Sequence, residues 1–317
     1  MKSNTTEKKD VLNFLFCFDN NYDQQAFSSI ISLLDNVNEA IVIHIIYNKD
    51  TNYDFIPVKI RDHRFLKNIY VYKFNDMNYN FPNLEDSHLS AATYYRLFLD
   101  KYIPDNIEYL TYIDSDMICI KNPLENIKIE IEKLKNSKKI VMARTEYPQT
   151  SKNENKIYER LDMVGPYFNA GFLILNLDKW RSDRLTQNLL NEMVELGEKI
   201  MHWDQDVLNS YFDGDYIELE NIYNFNAFSG LNQKRNSILF LHFIGSKKPW
   251  EMSGVFKMYS EDYHLNYRKL YRDYYHIVHS WKKDSIKKLF KNIMTFKFLQ
   301  LKHPLHFLKN FITSLKN

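Results

Sequence analysis

Glycine is scarce, with 7 in 317 residues. That excludes collagen-like and glycine-rich low-complexity architectures, and it makes each remaining glycine a candidate for a backbone position that needs one. Cysteine is scarcer still. Cys17 and Cys119 each lie inside an apolar run rather than in a spaced framework, which reads as two small core residues and not as a disulfide or a metal site. Long hydrophobic runs are missing too. The polar segment MKSNTTEKKD is followed by an apolar stretch, Val11 to Phe18, that Asn13 interrupts. The stretch is too short for a signal-peptide core and far too short to cross a bilayer. The expectation is an intracellular protein in a reducing compartment.

What is present is a globular composition: 44 % hydrophobic, 15 % aromatic and 26 % charged residues of both signs. This is enough for a sizeable core in one large domain or two small ones. The net charge of +2 is unevenly placed. From Lys282 onward there are nine lysines and one acid, Asp284, so that segment carries +8 and the remainder −6. An acidic body thus precedes a basic tail. No internal repeat, low-complexity linker or Gly/Ser-rich boundary divides the chain; the one candidate boundary is the change of charge near Ser280.

The first half alternates strand-like and helix-like segments. Leu12–Phe18, Ala40–Tyr47, Ile69–Phe74, Tyr109–Ile113, Ile140–Ala143 and Phe172–Leu177 have strand length and content, while Ala26, Ile30, Leu33 and Leu34 recur at helical spacing and Ser90–Tyr102 reads as a helix. Such alternation predicts an α/β fold with a mainly parallel central sheet. Ligands in these sheets bind beyond the carboxyl ends of strands. Two strands end in polar residues there: Phe18 is followed by Asp19-Asn20-Asn21, and Ile113 by Asp114-Ser115-Asp116. Two carboxylates at the mouth of a buried strand supply part of the oxygen shell that Mg²⁺ or Mn²⁺ takes, and leave positions open for phosphate oxygens. A solvated turn has the same pattern, so the triplet alone does not decide.

Further blocks follow in a fixed order. They are Phe16-Cys17-Phe18-Asp19-Asn20-Asn21-Tyr22, Thr93-Tyr94-Tyr95-Arg96-Leu97, Tyr112-Ile113-Asp114-Ser115-Asp116, Tyr167-Phe168-Asn169-Ala170-Gly171, Leu175-Asn176-Leu177-Asp178-Lys179-Trp180-Arg181, Asp204-Gln205-Asp206-Val207-Leu208-Asn209, and His242-Phe243-Ile244-Gly245-Ser246-Lys247-Lys248-Pro249-Trp250. Together they resemble glycosyltransferase family 8, in particular its bacterial lipo-oligosaccharide galactosyl- and glucosyltransferases. The resemblance covers roughly residues 12 to 255. It implies a GT-A type, Rossmann-like nucleotide-sugar-binding domain over residues 1–255, followed by a helical region 256–317.

The resemblance also implies roles. Asp114, Asp116 and His242 would hold a cation, Mn²⁺ in preference to Mg²⁺ because imidazole suits it better. Asp19, Asn21 and Tyr22 would take the uracil and ribose of a UDP-hexose, although a helix-capping loop would look alike. Arg96 and Ser115 would also face the donor, with Arg96 on its sugar or phosphate. Gly245 and Lys248 would face the diphosphate, where a Gly-Ser turn admits backbone N–H groups. Asn169, Ala170 and Gly171 are expected to form a loop around the sugar hydroxyls. Asp204 and Gln205, at a helix start, would meet the sugar and the anomeric carbon. Glu146 stands where the family has an Asp on the sugar or acceptor, a departure one methylene longer.

The implied reaction is transfer of galactose or glucose with retention to a glycan or lipid-linked saccharide. Gln205 is a poor nucleophile, which favours front-face substitution; Asp206 stays open as an intermediate-forming carboxylate. The competing readings are an Asp-x-Asp phosphatase, whose motif usually continues with Gly or Thr where this chain has Met117, and a non-catalytic nucleotide-sugar-binding relative. In the tail, Ile286, Leu289, Phe290, Ile293 and Phe296, then Leu305, Leu308, Ile312 and Leu315 after Pro304, form helical stripes beside Lys287, Lys288 and Lys291. A basic amphipathic segment of this kind suggests contact with an anionic membrane surface, on the inner face of the cytoplasmic membrane; packing on the body is the alternative. Nothing points to nucleic acid.

Overall fold

The computed structural model describes residues 11–50, 52–76, 79–82, 91–148, 155–230 and 233–316. The segment MKSNTTEKKD and Ser90 lie outside them.

Ten strands are present among these residues: β1 (Asn13–Phe18), β2 (Ile41–Tyr47), β3 (Leu66–Lys73), β4 (Tyr109–Ile113), β5 (Met117–Cys119), β6 (Val141–Tyr147), β7 (Tyr167–Asn176), β8 (Ile217–Glu218), β9 (Phe225–Asn226) and β10 (Phe240–His242). Seven form one sheet in the order β3-β2-β1-β4-β7-β6-β8. The pairs β3–β2, β2–β1, β1–β4 and β6–β8 are parallel, whereas β7 runs antiparallel to both β4 and β6. The fold is therefore mixed α/β with a largely parallel sheet. Runs such as NFLFCF and IVIHIIY suit its centre because both faces are covered. Alternate residues enter two different cores: Leu15 and Cys17 on one face, Phe14, Phe16 and Phe18 on the other. Cys119 lies in the second core, and both thiols are free and buried.

Two local expectations change. The segment expected as a helix from Ser90 is mostly a 3₁₀ stretch, Ala91–Phe98, that widens into one α-turn, Leu99–Tyr102. The strand expected at Phe172–Leu177 begins at Tyr167, so Asn169-Ala170-Gly171 is strand and not loop. The reason is pairing: Asn169 stands opposite Arg144, and Gly171 O accepts from Asp114 N–H at 2.8 Å. In the tail, the helix Pro304–Ser314 turns Phe307 and Phe311 inward and leaves Leu305 and Ile312 of the apolar stripe 78 % and 58 % exposed.

The small sheet β5-β10-β9 finishes the strand ends. Its antiparallel register sets His242 opposite Met117, next to Asp116. Packing continues past residue 255. Tyr263 and Tyr267 of the helix Ser260–Leu270 join Trp250 and Phe225 in one cluster, and Met252 and Val255 join Phe307 and Phe311 in another. Among the described residues, no helix is long and apolar enough to cross a membrane.

Candidate active site

Because β7 reverses direction, its first residues lie beside the last residues of β4 and just beyond the end of β1. A cleft of about 370 Å³ opens at this edge. Its lining brings together Asp19, Tyr22, Arg96, Asp114, Ser115, Asp116, Glu146, Asn169, Ala170, Asp204, Gln205, His242, Gly245 and Lys248. These come from segments up to about 230 positions apart in sequence, placed by strand ends and by the helix Trp203–Phe212. Asn209 docks that helix, accepting from Phe168 N–H at 2.7 Å and donating to Phe168 O at 2.9 Å.

Asp114, Asp116 and His242 offer ligand atoms that all lie within 4.8 Å of one another. His242 Nε2 is 3.2 Å from Asp116 Oδ1 and 3.8 Å from Asp114 Oδ2. The tautomer follows from a backbone anchor. Gly171 N–H donates to Asn169 Oδ1 at 3.0 Å, so the atom of Asn224 meeting that oxygen at 2.8 Å is its Nδ2. Asn224 Oδ1 must then accept from His242 Nδ1–H at 2.8 Å, which leaves the Nε2 lone pair facing the two carboxylates. Two hard oxygens and one imidazole nitrogen thus fit a divalent cation of the Mn²⁺ or Mg²⁺ kind. The chain of bonds ends on Glu146, whose Oε2 accepts from Asn169 Nδ2 at 2.8 Å.

The other charges are set against one another. Burial alone would raise the Asp116 carboxyl, but the Lys248 ammonium beside it overturns this and holds it well below the usual carboxylate range. Lys248 Nζ lies 2.5 Å from Asp116 Oδ2 and donates to Phe243 O at 2.8 Å. Arg96 is buried between Asp114 (3.1 Å) and Asp204 (2.7 Å), donates to Ala170 O at 2.5 Å and lies over the Tyr112 ring at 4.0 Å. Burial pushes Asp204 up to about 6 despite Arg96 and a hydrogen bond from Thr93.

Several expected residues have other surroundings. Asn21 is exposed and does not line the cleft; its N–H and side chain bond Asp19 at 2.9 and 3.3 Å. Gly171 lies behind the cleft, where a Cβ would sit 2.3 Å from His242 Cε1, so its smallness makes room for the imidazole. Asp206 is also behind the cleft and fully buried. Its oxygens accept from Arg160 (2.6 Å), Tyr167 OH (2.7 Å) and the N–H groups of Met201 and His202 (2.7 Å each). Burial opposes ionisation of Asp206, yet these four donors lower it below the ordinary value. No oxygen is left to attack a sugar, which corrects the reading of Asp206 as a nucleophile. Gln205 is held in one orientation: Oε1 accepts from Ala170 N–H at 3.0 Å, and Nε2 donates to Tyr167 OH at 3.2 Å and Glu146 at 3.4 Å.

Sequence reasoning missed Asn224, Tyr167, Arg160 and the cleft residues His202 and Trp203. Asn224 had no signal, being one of three asparagines interspersed with aromatic and apolar residues over 221–228. Trp203, the first residue of its helix, adopts φ +50°, a left-handed conformation that no residue pattern announces.

Comparisons with known proteins identify a family and a fold. The sequence model of glycosyl transferase family 8 matches residues 13–254. General stress protein A of Bacillus subtilis (strain 168) is 24 % identical over 288 residues, covering 83 % of this chain and 96 % of that protein. Lipopolysaccharide 1,3-galactosyltransferase of Salmonella typhimurium is 25 % identical over 259 residues, covering 78 % of this chain and 75 % of its own. Among solved structures, galactosyltransferase LgtC in complex with donor and acceptor sugar analogs superposes with a TM-score of 0.68 at 21 % identity, over 86 % of this chain and 99 % of that one. That likeness shows the shared GT-A fold. With the family's model matched over most of its length, the chain belongs to glycosyltransferase family 8.

Proposed function

We propose that the protein is a retaining hexosyltransferase that moves galactose or glucose from a UDP-sugar to a saccharide acceptor, with Mn²⁺ as the preferred cation. The observation that carries this reading is the Asp114–Asp116–His242 cluster beside Lys248 in one cleft, at the strand edge where such folds take nucleotides. The cation, held by those three residues, would offset the charge that develops on the leaving diphosphate. Lys248 adds a second positive charge from the Gly245 turn, which has φ +82°. Asp19 and Tyr22, at the end of β1, suit the uracil and ribose. Glu146, Asn169 and Asp204 suit the hexose hydroxyls, and Ser115 Oγ, buried with no partner among the described residues, suits a donor oxygen.

With Asp206 engaged by four donors, the anomeric C–O bond to UDP breaks as the acceptor oxygen bonds on the same face. The acceptor proton passes to the departing phosphate oxygen. Gln205, fixed by three bonds, lines the side of the sugar opposite that phosphate and stabilises it without covalent attachment. Arg96 acts as buried counter-charge to Asp114 and Asp204 rather than as a free phosphate ligand. The C-terminal helices, with lysines 282, 283, 287, 291, 297, 302, 309 and 316 exposed, suit an anionic lipid surface and a lipid-linked acceptor on the cytoplasmic side of a membrane.

A panel of UDP-sugars incubated with Mn²⁺ should release UDP from UDP-galactose or UDP-glucose. Asp116→Ala should lower that rate by at least about a thousandfold. Equal rates in both proteins, or phosphate release from simple phosphomonoesters instead, would overturn the assignment.

A further inference from the structure

The loop that carries Lys248 is braced from behind by the last helix. Glu251 N–H donates to Lys248 O at 3.0 Å, and Gly254 lies so close beneath that a Cβ there would be 2.0 Å from the same oxygen. The next two carbonyls are held from outside the loop. Pro249 O accepts from His264 Nε2 at 3.0 Å, and Trp250 O accepts from Val278 N–H at 2.8 Å. Both of these donors lean on the segment 273–278, which Asn310 fixes. Asn310 is 7 % exposed; its Oδ1 accepts from the N–H groups of Tyr274 (3.1 Å) and Tyr275 (3.0 Å), and its Nδ2 donates to Asp273 at 2.7 Å. The Tyr275 ring lies between His264 (4.7 Å) and Phe307 (5.5 Å).

We infer that Asn310 is a positioning residue for the diphosphate end of the donor site. By fixing Asp273–Val278 it fixes the carbonyls of Pro249 and Trp250, and with them the backbone from which Lys248 reaches the cleft. A buried amide that satisfies two successive N–H groups holds a turn in one conformation, because any other leaves those donors unpaired. The inference rests on Lys248 meeting the diphosphate. It goes beyond that reading in making the C-terminal helix part of the donor site's geometry, although Asn310 touches no donor.

The test is calorimetric binding of UDP and of uridine, with Mn²⁺ present, to the full chain. Asn310→Ala should weaken UDP binding by about three- to thirtyfold and leave uridine unchanged, since uridine has no phosphate for Lys248 to meet. In the Lys248→Ala background the same substitution should have no further effect. Equal losses for both ligands, or losses that add in the double variant, would reduce Asn310 to a general stabiliser and overturn the inference. Should Asn310→Ala not fold, His264→Leu should reproduce its UDP-selective loss, and His264→Gln, which keeps a side-chain N–H, should restore binding. The failures are distinguishable: Lys248→Ala binding UDP as tightly as the wild type removes the underlying reading. Weak binding by Lys248→Ala with normal binding by Asn310→Ala removes this inference alone.

Discussion

In and just behind the cleft, charge is taken out of water: Arg96 lies between Asp114 and Asp204, and Arg160 and three further donors enclose Asp206. In the C-terminal helices the reverse is found. Trp281, Phe290, Met294 and Phe296 stand 63–78 % exposed while Phe307 and Phe311 of the same unit are buried. Each region departs from the usual partitioning of side chains, in opposite senses, and each departure has a cost that packing alone would remove. The cleft accepts its cost to hold charges in fixed geometry. The tail keeps one face for the body and leaves the other exposed.

The difference can be strained from the cleft side first. Arg96→Met should destabilise the fold by about 3–5 kcal/mol, because it leaves two buried carboxylates without a partner; urea unfolding would show this. A change below about 1 kcal/mol would mean the cleft floor is wetter than its burial indicates. Buried groups that stay neutral form a second class. Burial lowers His264 and His276 to about 3, against about 6.5 in the unfolded chain. Their contribution is complete above pH 6.5 and is lost as pH falls toward 3, because the unfolded chain takes up protons that the fold refuses. Stability should therefore drop between pH 6.5 and 5 by up to about 1.4 kcal/mol per pH unit for each ring. His276→Phe should remove one proton's share of that slope, and an unchanged slope would refute the assignment.

Asn224→Leu should weaken Mn²⁺ binding by about 10- to 100-fold, read by the free-ion spin-resonance signal, since nothing would then hold the His242 tautomer. Unchanged affinity would make Asn224 mere filling. On the tail side, Lys291→Gln should weaken binding to vesicles containing anionic lipid by about fivefold, with the loss vanishing at high salt. Equal binding by both proteins would return the tail to solvent.

Much of this arrangement was legible in the chain. β1, β2 and β4 are dominated by apolar, aromatic or β-branched residues, so their ends, and with them Asp19 and Asp114, could be placed by pattern alone. The beginning of β7 could not, because Asn169-Ala170-Gly171 has poor strand propensity and becomes strand only by pairing with β6 and Asp114. Which apolar set of the tail helix meets the body was not legible either. Positions 305, 308 and 312 and positions 307 and 311 both recur at helical spacing, and Tyr275 and Met252, distant in sequence, decide between them. Asn224 was invisible because its role exists only through Asn169 and His242.

β7 has a consequence for how the molecule can fail. The same ten residues fill the centre of the sheet and deliver Asn169, Ala170 and the space for His242 to the cleft. A slip of one residue would send each of those side chains to the opposite face. Chains that reach a compact but misregistered state should thus be silent rather than sluggish, and in a partly refolded sample activity should count correctly folded molecules.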